Sequence, residues 1–225
     1  MGARGSVLVT GGAKRIGAAI CEALRERGWN VLAHSRAASS PFCADLSEPL
    51  GAARLFQKAC DAAPDLCAIV NNAAVFSTAR ELPADDAARM MRVNAESPEK
   101  LSTLLGLRLM EHAPYEGAVV NILDARILRL AADASPTPYE RSKMALRDSM
   151  MKTAGLFGSC LRVNAVAPGP VLVPVDAANR EKGGEVLLNH RPSPEDVAEA
   201  VALLLEARSV TGQILAVDSG QSLLP

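Results

Sequence analysis

Apolar residues along this chain fall into two rhythms. Short runs, apolar throughout or alternating with polar positions, lie at Ser6 to Thr10, Asn30 to His34, Phe42 to Ala44, Cys67 to Val70, Ala118 to Ile122, Leu161 to Val166 and Ile214 to Val217. Between them, apolar positions recur at helical spacing. Strands alternating with helices from end to end predict βαβ units, so the expected fold class is α/β: a doubly wound seven-stranded parallel sheet with helices on both faces. Helix ends carry their own signals. Ser97-Pro98 and Ser193-Pro194 each set a capping hydroxyl before a proline at the first helical position, and Asp196 completes a capping box with Ser193. The helix after the first strand is predicted to stop at Gly28. No repeat or composition break divides the sequence, which predicts one domain over residues 1–225. Gly169 to Arg191, mixed in Pro, Gly and charge, breaks the rhythm as a mobile loop does.

Composition narrows the classes of function. A chain of 225 residues, 49% hydrophobic, can bury a substantial core. Its 24 basic and 25 acidic residues are interspersed and give a net charge of -1, which leaves no field for nucleic acid or an anionic membrane. Cys21, Cys43, Cys60, Cys67 and Cys160 are odd in number and lack metal-ligand spacing, so they predict thiols in a reducing compartment, with neither disulfides nor zinc. The first strand begins too early for a secretory leader, and no apolar run reaches membrane-spanning length. These features predict a soluble, cytoplasmic protein.

Candidate chemistry begins at "VLVTGGAKRIGAAI", Val7 to Ile20. A strand followed by Gly11, Gly12 and Gly17 at a helix start points backbone N–H groups and the helix dipole at a pyrophosphate. The candidate cofactor turn comprises Gly11, Lys14, Arg15, Ile16 and Gly17; a glycine turn without a ligand is the other reading of these residues alone. Arg15 takes the place of a middle glycine. A cation at a helix start is mildly unfavourable, which predicts an anionic neighbour for Arg15, on cofactor or substrate, unless it simply faces solvent. The second strand ends in His34, Ser35 and Arg36, with Ser39 nearby and no Asp or Glu to hold ribose hydroxyls. That pattern favours a 2′-phosphate, hence NADPH, over an ordinary solvated strand end. Asp45, followed by Leu46, either bonds the adenine or caps the next helix.

"YERSK" puts Tyr139 and Lys143 on one helix face. A nearby ammonium favours the phenolate, so Tyr139 is expected below its usual value of about 10 and able to exchange a proton near neutrality. Alone, the pair fits an exposed helix surface. It is accompanied, in order along the chain, by Thr10-Gly11 with Gly17, Asp45-Leu46, "VNNAA" from Val70 to Ala74, "VNAESP" with Asn94, "VNAVAPGPV" from Val163 to Val171 and "TGQILAVDSG" from Thr211 to Gly220. Along nearly its whole length the chain resembles a short-chain dehydrogenase/reductase. The resemblance implies a Rossmann-type fold, with Asn71, Asn72 and Ala73 closing the cofactor cleft and Pro168 and Gly169 passing beside the nicotinamide. It implies that Lys143 bonds the nicotinamide ribose and that Asn94 holds a water relaying protons through Lys143 to Tyr139. A homotetramer, packed through the helices that follow Asn94 and carry Tyr139, is implied as well, as is a short substrate loop at about 169–191.

That family carries a serine at the end of the fifth strand, where its hydroxyl polarises a carbonyl. Asp124 stands there in this chain, and Ser135, expected at the start of the tyrosine's own helix, is too close to Tyr139 to replace it. A carboxylate beside a developing alkoxide repels it, whereas a C=N bond under reduction gains a protonated nitrogen that a carboxylate can pair with. Asp124 therefore favours an imine-like substrate, unless it merely caps the next turn. Asp124, "TGGAKRIG", the His and Arg after the second strand and an aromatic after the Asn-Asn-Ala turn make the chain similar to pteridine reductases and the related bacterial dihydromonapterin and dihydrofolate reductases. By that resemblance Phe76 stacks a pterin against the nicotinamide, and Arg15, Phe76, Asp124 and Tyr139 bind the ring; a plain core Phe is the alternative for Phe76. The segment from Asp124 to Tyr139 is longer than in that branch, and the loop from Val171 to Arg191 is short and nearly without aromatics. The expected function is NADPH-dependent reduction of a dihydropterin-like C=N bond, with Tyr139, Lys143, Asp124 and Asn94 as the catalytic group. A ketone or 3-oxoacyl reductase is the alternative enzyme, and a non-catalytic NADPH-binding regulatory protein the alternative outside enzymes.

Overall fold

Every residue of the first strand, β1 (Ser6–Val9), is buried, because a parallel strand at the centre of a sheet is covered on both faces. Six more strands follow: β2 (Asn30–Ser35), β3 (Phe42–Cys43), β4 (Leu66–Asn71), β5 (Gly117–Ile122), β6 (Leu161–Pro168) and β7 (Ile214–Val217). They form one sheet of order β3-β2-β1-β4-β5-β6-β7, parallel throughout. This computed structural model describes residues 4–111, 116–129, 135–171 and 185–224, so most of the expected loop at 169–191 lies outside the described residues. Strand positions match the sequence expectation to within a residue or two.

Side chains alternate across the sheet and build two cores. On one face α1 (Arg15–Glu26) and α6 (Pro194–Glu206) pack Ile20, Leu24, Val197 and Val201 against Val7, Val9, Val70 and Val120. On the other, α2 (Gly51–Ala62), α4 (Ser97–Glu111) and α5 (Pro138–Leu156) pack Leu55, Leu101, Leu105, Leu146 and Met150 against Leu8, Ile69, Val119 and Val163. The chain builds outward from β1 to β3, then crosses back to β4 on the other side of β1. The carboxyl ends of β1 and β4 are thus the switch point of the sheet, the place where ligands of such sheets bind.

Helix ends follow local chemistry, with one correction. Ser193 and Asp196 form the expected capping box at α6. Gly28 follows α1 with φ +84 and closes it by donating to Arg25 O. Ser97, expected as a cap, sits inside a continuous helical path that runs from α3 (Ala84–Met91) through a π turn (Arg92–Glu96) into α4. Its backbone is helical, and its Oγ donates to Leu46 O at 2.8 Å. Pro98 lacks the N–H that an α ladder would direct at the Asn94 carbonyl, and the wider π turn lets the helix pass it. The cap that positions α5 is Thr137, whose side chain forms a capping box with Glu140 and is followed by Pro138 at the start of the helix. Ser135 thus precedes that cap and lies outside the helix.

Candidate active site

The turn between β1 and α1 is shaped by what a Cβ would strike. At Gly17 it would lie 2.2 Å from Gly11 O, and at Gly11, where φ is +65, it would meet Ala73 Cα at 3.0 Å. Glycine at both places lets this turn close on the Asn72-Ala73 turn. Thr10, absent from the expected site, ties the two together: its Oγ1 accepts the N–H groups of Asn72 and Ala73, both at 3.0 Å. Asn72 Nδ2 returns bonds to Thr10 O at 2.9 Å and Gly11 O at 3.1 Å. The Asn71 side chain is turned away from the cleft, contrary to expectation. It is buried and donates to Asn121 Oδ1 at 2.8 Å and Ser102 Oγ at 3.3 Å, pinning α4 to the sheet.

Arg15 is exposed and holds φ +56, the left-handed conformation that glycine adopts freely. A residue with a Cβ thus adopts here the conformation that glycine favours. Among the described residues none pairs with its guanidinium, and no contact joins it to Phe76 or Asp124. Lys14 is an extended, exposed residue at the α1 cap, while Ile16 packs against the α1 core.

His34 requires the largest correction on the cofactor side. Its ring is 2% exposed, with Nδ1 accepting the Gly11 N–H and Nε2 facing Ala44 O, each at 3.1 Å. Both nitrogens are engaged inside the protein, so the ring is not placed to bind a phosphate. Burial, assisted by Arg36 and opposed by the Ala44 bond and Asp45, holds the imidazole below its ordinary value. Arg36 is exposed at the strand end, and Ser35 Oγ accepts the Ala37 N–H at 3.2 Å. Asp45 neither caps α2, which begins after Leu50, nor keeps both oxygens free: Oδ1 accepts the Ser47 N–H at 2.8 Å and its Oγ at 2.7 Å. Those two bonds hold its carboxyl below the usual range. Leu46 is core.

The first turns of α5 deliver Tyr139 and Lys143, both buried. The tyrosine hydroxyl donates to Asp124 Oδ2 at 3.1 Å. Asp124 Oδ1 accepts the Arg126 N–H at 2.9 Å, capping the 3-10 turn Ala125–Leu128 that follows β5. One carboxylate thus caps its turn and faces the tyrosine as well. Phe76 is 51% exposed and meets the Tyr139 ring edge-on, with centroids 4.9 Å apart. The Arg126 guanidinium lies 5.2 Å from the Phe76 centroid, a cation–π contact. Arg126 was not legible as a site residue, since nothing in its spacing separates it from a surface arginine.

The expected lowering of Tyr139 is reversed. Burial first, then the charge and hydrogen bond of Asp124, hold the phenol well above its usual value, against the pull of Arg126. Lys143 does not offset this, because its Nζ donates to Ile122 O at 2.7 Å and lies 5.8 Å from the tyrosine ring centroid. Burial draws the ammonium down to about 8, with Asp124 opposing. Asn94 is fully buried in the π turn, with Oδ1 accepting the Val75 N–H at 2.7 Å and Nδ2 donating to Val75 O at 2.8 Å and Ser142 Oγ at 2.9 Å. Its side chain brackets the segment leading to Phe76 against α5. Gly169, just after β6, donates to Val217 O at 2.9 Å, and a Cβ on it would come within 2.7 Å of Asp218 Cα.

Residues 11–222 match the family model described as Enoyl-(Acyl carrier protein) reductase, in a chain with a buried tyrosine and lysine one helical turn apart beside the switch point. The chain belongs to the short-chain dehydrogenase/reductase family. Within that family it is similar to a dihydromonapterin reductase of Citrobacter koseri, 28% identical over 233 residues, covering 96% of each chain. A cis-4-hydroxycyclohexanecarboxylate dehydrogenase of Sinomonas cyclohexanicum is 30% identical over 238 residues, covering 95% of this chain and 94% of the other. Among solved structures, FolM alternative dihydrofolate reductase 1 from Brucella canis, complexed with NADP, superposes with a TM-score of 0.86 at 31% identity, covering 99% of this chain and 96% of that one. This short-chain reductase is an oxidoreductase.

Proposed function

We propose that the protein reduces a C=N bond of a dihydropterin-like ring with NADPH. The observation that carries this reading is the Tyr139 hydroxyl bonded to Asp124 Oδ2 at 3.1 Å, with Phe76 at its edge. The glycine turn, held against the Asn72-Ala73 turn by Thr10 and Asn72, stands at the α1 N-terminus, where amides without helical partners suit a dinucleotide phosphate. Exposed Arg36 is the cation suited to a 2′-phosphate, and the likeness to an NADP-complexed structure supports that choice.

When bound, NADPH supplies the hydride. Tyr139 is protonated at neutral pH and so carries the proton that the ring nitrogen takes up. That proton faces Asp124 Oδ2; a ring edge rich in N–H donors would take over Asp124 Oδ2 and free the hydroxyl to donate. Asp124 then binds and orients the substrate, and Lys143, fixed by Ile122 O, presents the cation beside the tyrosine. Phe76 supplies an apolar surface for a flat ring.

Monitoring NADPH oxidation in parallel with dihydromonapterin, dihydrobiopterin, dihydrofolate and a short 3-oxoacyl thioester tests the reading. Turnover of the pterins is expected. Turnover of the thioester alone would establish the carbonyl-reductase alternative, which the likeness to an alcohol-oxidising relative favours. NADH serving as well as NADPH would remove the role given to Arg36. The same reading includes a cytoplasmic location, supported by five free cysteines, and a homotetramer. Exposed Leu107 and Met110 on α4 and Met151 and Leu156 on α5 support assembly through those helices.

A further inference from the structure

We infer that His34 is a positioning residue of the cofactor cradle: a neutral imidazole that holds the Gly11 turn in its binding shape without touching the cofactor. The inference rests on the NADPH reading and is independent of the substrate. A carbonyl oxygen can only accept, so the contact to Ala44 O requires a hydrogen on Nε2. The Nδ1 lone pair is then left to receive the Gly11 N–H. Only this tautomer satisfies both partners. His34 also takes the next amide of the turn through its own backbone, Gly12 N–H donating to His34 O at 2.9 Å. Two consecutive N–H groups of the glycine turn are thereby fixed to β2. This leaves the amides at the α1 N-terminus, which no helical bond uses, to face a phosphate.

A second proton on the ring would set Nδ1–H against the Gly11 N–H, two donors head to head, and the turn would have to open. The charged groups bearing on the ring are Arg36, from the end of its own strand, and Asp45, from the segment after β3. Burial and Arg36 disfavour the extra proton, so the cradle is intact at neutral pH. Cofactor affinity then falls as the pH drops through the lowered value of the ring.

The test is the affinity for NADPH, measured by quenching of its fluorescence or by calorimetry, from about pH 7.5 down to the lowest pH at which circular dichroism shows the protein folded. His34→Asn keeps an acceptor near the Nδ1 position but cannot titrate, whereas His34→Leu has neither property. At about pH 7.5 the Asn variant is expected to bind within about threefold of wild type and the Leu variant about tenfold more weakly, the cost of one unsatisfied buried amide. The 2′-phosphate itself titrates near pH 6, by analogy with phosphate esters at about 6, so the readout is the difference between proteins. Wild type should lose affinity relative to the Asn variant as the pH falls below 6.5, by less than the about tenfold that an unshifted imidazole would lose by about pH 5.5. Equal pH dependence of wild type and Asn variant, or full affinity in the Leu variant, overturns the proposal. Imidazole nitrogen NMR of the wild-type protein needs no variant: an Nδ1–H tautomer or a charged ring at neutral pH overturns it too.

Discussion

Tyr139 keeps its proton because water is nearly excluded from it and because Asp124 lies where a phenolate charge would form. Replacing Asp124 by Asn removes both the charge and the strong acceptor. The Tyr139 pKa should then fall, so the alkaline limb of the kcat profile should move to lower pH, as read from pH–rate curves and tyrosinate absorbance. An unmoved limb would mean that Asp124 does not govern the tyrosine. Lys143 raises a separate question of stability. Its buried ammonium has a value of about 8 against an ordinary 10.5, a destabilisation of about 3 kcal/mol when fully protonated. The folded state binds fewer protons than the unfolded state between those values, so the penalty is complete below pH 8 and fades as the pH rises toward 10.5. Lys143→Met, which loses the bond to Ile122 O but no longer buries a charge, should abolish turnover yet be about 2 kcal/mol more stable at neutral pH. Its advantage should vanish in denaturant melts near pH 10.

Two Ser/Thr-Pro pairs with similar sequence signals behave differently at the scale of elements. Thr137 caps α5 and orients the turn carrying Tyr139, whereas Ser97 lies within a helix and reaches across to Leu46 O. Thr137→Ala should cost about 1 kcal/mol, lowering Tm by about 2–4 °C in thermal circular dichroism. Ser97→Asp would strengthen a genuine cap. Here it sets an acceptor against a buried carbonyl and should destabilise by about 1–3 kcal/mol, while a gain in Tm would restore the capping role. Local pattern revealed the proline; it did not reveal that a π turn carries the helix past it, because that depends on α3 and α4 docking as one rod.

Over the whole molecule, the switch point exists because the chain reverses its direction of growth at β1, and glycines let two turns meet there. Gly17→Ala should eliminate NADPH binding measured by fluorescence, since its Cβ would lie 2.2 Å from Gly11 O; retained affinity would show that the turns do not need this approach. The sequence by itself determined the alternation of strands and helices, the parallel sheet, the glycine turn and the Tyr139–Lys143 pairing. Each depends on periodicity or on neighbours within a helical turn. Only the tertiary structure decided that His34 serves Gly11 in place of a phosphate, that Asn71 faces the core, that Lys143 bonds Ile122 O, that Arg126 joins Phe76, and that Tyr139 is held protonated. Those outcomes depend on burial and on partners brought together from distant parts of the chain, and neither is encoded in the spacing of residues along one segment.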